Sequence, residues 1–127
     1  MNNSRKCYML RIITSITLII SIYYGFNFLV NYMFDDYINN TPYNITVNKY
    51  IDRYRINWVT NNKVNCFLIY DELKNKIVNP SITNHKNNHY YHHSNISPII
   101  KDILYDFYIS CINHDAKYNT RYYYLHP

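Results

Sequence analysis

The chain is predicted to be α+β: a single N-terminal transmembrane helix, then a small domain in which an antiparallel β-meander packs against one amphipathic helix. Three observations carry this. Residues 12–34 form a run of 23 residues without a charge. Residues 46–78 hold short β-branched and aromatic runs separated by Asn-rich turns. Residues 98–113 repeat apolar side chains at helical spacing behind a Ser-Pro start.

The apolar run comes first. A helix of that length spans about 35 Å, and the hydrocarbon core of a bilayer is about 30 Å thick. Arg5, Lys6 and Arg11 precede it, while Asp35 and Asp36 follow. Cations stay on the cytoplasmic side. This predicts a short basic cytoplasmic tail over residues 1–11 and a membrane localisation with residues 35–127 extracytoplasmic or on a virion surface. A cleaved signal peptide would have a shorter apolar stretch and a small-x-small site. Here the run continues through Tyr23, Tyr24, Phe26 and Phe28, with no such site. A buried core helix is the other alternative, and the run is long for one. Thr17, Ser21 and Gly25 are spaced by four, and Asn27 and Asn31 continue the row. Small residues let helices approach, and amides bond across the contact. The expected partners are therefore bilayer lipid and other membrane proteins, or a second copy, through this helix. The alternative is that Asn27 and Asn31 lie near the outer interface and are solvated.

Composition excludes more than it selects. Asn, Ile, Tyr and Lys are abundant, while Ala and Gly occur once each. These are the residues of A- and T-rich codons, so their enrichment points to an AT-rich genome. The net charge is +5, of which Arg5, Lys6 and Arg11 supply three. Residues 35–127 hold ten Lys/Arg and eight Asp/Glu. A phosphate-binding surface needs clustered cations, so no nucleic-acid partner is expected. Gly25 is the sole glycine, so the exposed domain has no P-loop, Rossmann fingerprint or nucleophile elbow. No metalloprotease or C-x-x-C motif occurs either. The expectation is a non-enzyme without a cofactor.

Along the exposed part, residues 35–48 read as a stalk and 49–127 as the small α+β domain. Three sequons offer glycosylation acceptors, Asn39, Asn44 and Asn95. Strands are expected over 46–51, 54–59, 64–70 and 76–78, with Trp58 anchoring the core. Residues 81–95 read as a His-rich loop. Ser97 can cap a helix with Pro98 in its first turn, predicted to run over 98–113. The tail, 115–127, either adds an edge strand or stays loose.

Cys66 and Cys111 are the two cysteines of the exposed domain, Cys7 lying before the apolar run. In an oxidising compartment Cys66 and Cys111 are expected to form a disulfide; the alternative is two buried thiols. His85, His89, His92 and His93 would share a face only on a helix. They are candidates for pH sensing or metal binding, and low-complexity loop is the alternative.

The layout is similar to that of small envelope proteins in the entry complexes of large DNA viruses. The resemblance covers the whole chain but rests on architecture and codon bias, so no functional residue carries over. It implies a non-enzymatic interaction subunit of a membrane complex. The alternatives are a secretory-pathway accessory protein that binds host proteins, and a membrane-anchored enzyme of unfamiliar type.

Overall fold

The computed structural model describes residues 2–125. It contains α1 (Asn3–Asn40), β1 (Tyr43–Lys49), β2 (Tyr54–Thr60), β3 (Asn65–Glu72), β4 (Asn75–Pro80), β5 (Ile82–Lys86), β6 (His89–Ile96), β7 (Tyr105–Asn113), β8 (Ala116–Asn119) and β9 (Tyr123–Leu125). The chain divides into two compact units, Met1–Asp36 and Tyr37–Pro127, so the last turn of α1 belongs to the second.

α1 is continuous through the apolar run, and its 38 residues extend roughly 57 Å. Among the described residues it is the one helix long and apolar enough to cross a membrane, and none of its most apolar window is buried. Five of its polar side chains bond back to the helix's own carbonyls. The hydroxyls of Thr14 and Ser15 donate to the Arg11 carbonyl, and those of Thr17 and Ser21 donate one turn back, to Ile13 and Thr17. The Asn27 amide donates to Tyr23 O at 3.1 Å. Such back-bonding lets polar residues sit in hydrocarbon without an outside partner. Thr17, Ser21, Gly25, Asn27 and Asn31 are all exposed. A Cβ added at Gly25 would meet nothing within 4 Å.

The helix stops at Asn40 because Pro42 has no amide hydrogen and disfavours helical conformation at Thr41. The segment expected as a stalk therefore holds the end of α1 and most of β1. β1 joins β2 in a regular ladder after a bulge between Tyr43 and Thr46, where Asn44 takes a φ of 56°.

The four expected strands correspond to β1 through β4, but they do not form one meander. The first sheet has the order β1-β2-β6-β5; the second has β4-β3-β7-β8, with β9 also pairing with β7. The chain passes from one sheet to the other between β2 and β3, with Val64 buried at the crossing. The two sheets pack face to face around Ile56, Trp58 and Ile96 from the first and Leu68, Tyr70, Tyr105, Phe107 and Ile109 from the second. Trp58 is among the largest fully buried side chains, as expected of it.

The amphipathic helix over 98–113 is not formed. Residues 105–113 are a strand, and Tyr105, Phe107, Ile109 and Cys111 alternate into the core. Phe107 and Cys111 are four apart, a spacing that a helix face and a strand face both satisfy. Tertiary pairing decides between them, because β7 is a central strand with β3 on one side and β8 and β9 on the other. Ser97 does not cap a helix; its peptide bond to Pro98 is cis. The loop that follows is held by Ile99 N–H donating to Asp52 O and Ile100 N–H donating to the Tyr105 hydroxyl, both at 3.0 Å.

The His-rich segment is not a loop either. It forms the β5–β6 hairpin, whose two turn residues, Asn87 and Asn88, have φ of 52° and 62°. Two left-handed residues between paired strands match the right-handed strand twist, and Asn tolerates that conformation. The same two-residue turn joins β7 to β8 through His114 and Asp115, and β3 to β4 through Leu73 and Lys74. Leu73 and Lys74 lack the short polar side chain that eases a positive φ. Replacing Lys74, at φ 71°, by Gly is expected to stabilise the domain by about 1 kcal/mol. A higher urea midpoint at unchanged slope is the expected readout; an unchanged or lower midpoint refutes the strain.

Candidate interaction surfaces and a buried histidine

Cys66 and Cys111 stand directly opposite each other on β3 and β7 and form a disulfide, with Cα atoms 4.0 Å apart. Both are buried. Cys7 is free and exposed.

The four histidines do not converge. Successive side chains on a strand point to opposite faces, so His92 enters the core while His93 faces outward. His85 stacks on Tyr90, with centroids 4.6 Å apart. His89 lies 3.2 Å from both the Tyr43 hydroxyl and Asn61 Oδ1. Among the described residues no group of three or more His, Cys, Asp or Glu is arranged to hold a metal ion.

His92 is the unusual member. It is 1% exposed and lies parallel to Trp58, its cross-strand neighbour, at 5.6 Å and 6°. The Thr60 hydroxyl donates to Asn62 O, so its oxygen accepts from His92 Nε2–H at 2.8 Å. Nδ1 then accepts from the Thr83 hydroxyl at 2.9 Å, with the Ser81 hydroxyl at 3.3 Å. Three hydroxyls from three segments thus fix one neutral tautomer. Burial pushes the His92 pKa down to about 4, because the core penalises the charged ring. The His93 pKa is lowered too, first by burial and then by the nearby Arg55 charge.

Asn40 ties the end of α1 into the sandwich. Its Oδ1 accepts from Asn62 Nδ2 and Asn113 Nδ2, each at 3.0 Å, and it is fully buried. Those donors lie after β2 and at the end of β7, so one oxygen bridges both sheets. Asn40→Ala leaves two amides without an acceptor. The expected loss is about 2 kcal/mol or more, read as a lower urea midpoint; a loss within about 0.5 kcal/mol, the range of an ordinary surface change, refutes the bridge.

The outer faces of the two sheets differ in kind. The first presents Asn44, Thr46, Arg55, Asn57, His93 and Asn84, flanked by Tyr91. The second presents Phe67 and Ile69 from β3, Val78 from β4, and Tyr108 and Ile112 from β7, around a groove of about 450 Å³. Tyr122 extends the apolar band by packing against Tyr108 at 4.9 Å. Lys76 and Lys117 border it. The Lys76 ammonium sits 5.5 Å from the Tyr108 ring centroid, and its hydrogen bond to the Tyr108 hydroxyl raises its pKa. The first face has the composition of a wetted sheet surface. The second reads like a surface meant to be covered. Sequence patterning missed this asymmetry because it depends on which strands share a sheet.

The sequons differ in access. Asn44 is exposed on the bulge of β1. Asn39 is half-buried, with Oδ1 accepting from Asn61 at 3.2 Å. Asn95 is half-buried within β6, and its Oδ1 is enclosed.

No family model matches the chain, and no curated protein matches it. Among solved structures, the fold is similar to one described as "Crystal structure of Br derivative BhCBM56", at 5% identity and a TM-score of 0.48, over 64% of this chain and 87% of that one. A likeness at this level carries no argument about ligand or activity.

Proposed function

We propose that the protein is a non-enzymatic interaction subunit of a membrane complex. α1 anchors it with the N-terminus cytoplasmic, and the β-sandwich is extracytoplasmic. The flanking charges favour that orientation, and a buried disulfide suits an oxidising compartment. Layout and codon usage favour the envelope or entry complex of a large DNA virus as the setting.

The observation that carries the reading is the apolar band across the outer face of the second sheet. Phe67, Ile69, Val78 and Tyr108 occupy neighbouring strands there, where an isolated sandwich would place polar residues. Asp71 and Asp106 stand at one strand end of this face, with register partners Lys76 and Tyr124. With Lys76 and Lys117 also at its border, the margin is balanced in sign and lacks the cation excess that an anionic bilayer attracts, so a partner membrane protein is the better occupant.

Photo-crosslinking from position 78, compared with position 57 on the polar face, tests this in native membranes. The expected product is a membrane-protein adduct from 78 and none from 57. Equal labelling from both positions, or lipid adducts alone, would sink the proposal. Topology has its own check: protease added to sealed cytosol-side-out vesicles should spare the sandwich, and digestion of it would refute the orientation.

A further inference from the structure

We propose that the outer face of the first sheet is an oxyanion-binding site for a sulfated sugar. The proposal is independent of the partner face on the other sheet. It starts from charge segregation that net charge conceals. β1, β2, β5 and β6 contain no Asp or Glu; all eight acidic residues of the chain lie outside them. The same strands carry Lys49, Arg55 and Lys86.

On this face Arg55, Asn44, Asn57, Asn84, Tyr91 and His93 line a groove of about 340 Å³. That volume lies at the lower end of the range for ligand pockets, about 300–1,000 Å³. Every one of these side chains can donate a hydrogen bond, and none is a carboxylate.

Arg55 is the centre of the site. It is half-buried, and its Nε is enclosed without an acceptor. Its cross-strand neighbour in β6 is Asn95, which offers only a neutral amide. Arg53 nearby is paired with Asp52 at 3.9 Å, whereas no carboxylate pairs with Arg55 among the described residues. A partly desolvated guanidinium selects an oxyanion, which its two terminal Nη groups can grip together while the enclosed Nε lies out of a ligand's reach. The asparagine amides and the Tyr91 hydroxyl around it suit the hydroxyls of a sugar that carries the anion. A nucleic acid would need a longer track of cations than one groove with a single arginine.

The test is titration of the full-length chain in detergent with a sulfated heparin disaccharide, followed by NMR or calorimetry. Parallel arms use the desulfated disaccharide, inorganic sulfate and a single-stranded oligonucleotide. The sulfated sugar should bind, the desulfated one at least about tenfold more weakly, and inorganic sulfate should compete for the same site. Arg55→Gln should lower affinity about tenfold, and Asn57→Ala should lower it less, both at an unchanged melting temperature. Equal affinity for the desulfated sugar, unaltered binding by Arg55→Gln, or binding of the oligonucleotide alone would overturn the proposal. So would a glycan found on Asn44 in the native protein, since a sugar on that side chain would fill the groove.

Discussion

Reduction of the Cys66–Cys111 bond should destabilise the sandwich by about 4 kcal/mol. The two residues are separated by 45 positions, and closing a loop of that length removes about that much chain entropy from the unfolded state. A domain of this size has about 5–15 kcal/mol in all, so the bond is a large share of its margin. The melting temperature should fall by roughly 15 °C or more on reduction. The Cys66→Ala, Cys111→Ala double variant should match the reduced protein and ignore reductant. Both sulfurs are buried, so reduction should require unfolding or strong reductant. A drop of only a few degrees, or a double variant as stable as the oxidised protein, would show that the sheet pairing alone holds β3 to β7.

Acid should weaken the fold through His92. In the unfolded chain this ring takes up a proton near its ordinary pKa of 6.5; in the core it resists protonation until about pH 4. Above 6.5 both states are neutral and the group contributes no pH dependence. As pH falls from 6.5 to 4, the unfolded state binds a proton that the native state excludes, so stability declines. The gap of about 2.5 pH units, at about 1.4 kcal/mol each, corresponds to roughly 3 kcal/mol. Below pH 4 this contribution levels off. Urea midpoints measured across that window should show the slope in wild type and lose most of it in His92→Phe. The variant keeps a ring against Trp58 but cannot titrate. His93→Asn should retain most of the slope. An equal slope in His92→Phe would refute the assignment. The same numbers argue against His92 as a sensor of mildly acid compartments, because the folded ring is still neutral at pH 5.

Legibility in the sequence followed physical range. The 23-residue run and its charged flanks depend on neighbours within one helical turn, and a helix covers the run as read; α1 nevertheless extends from Asn3 to Asn40, into the segments expected as tail and stalk. Strands β1 to β4 were legible because β-branched and aromatic residues cluster between Asn-rich turns. The Cys66–Cys111 pair was legible by elimination, since Cys7 lies ahead of the apolar run. The β5–β6 hairpin was not legible as a hairpin, although Asn87-Asn88 is a turn signal. Its histidines and asparagines are poor strand formers, and β6 becomes a strand because β2 pairs along its length.

The sequence alone determined that this chain carries a membrane-length helix, a strand-rich remainder and two cysteines available to each other. Tertiary structure alone decided that residues 105–113 extend rather than coil. It also decided that His92 is a caged core residue beside an outward His93, and that one sheet face is apolar while the other lacks carboxylates. The reason is one of distance. Local periodicity records which side chains share a face of one element, but the partner of that face comes from residues dozens of positions away, and only their pairing settles which of two permitted periods is used.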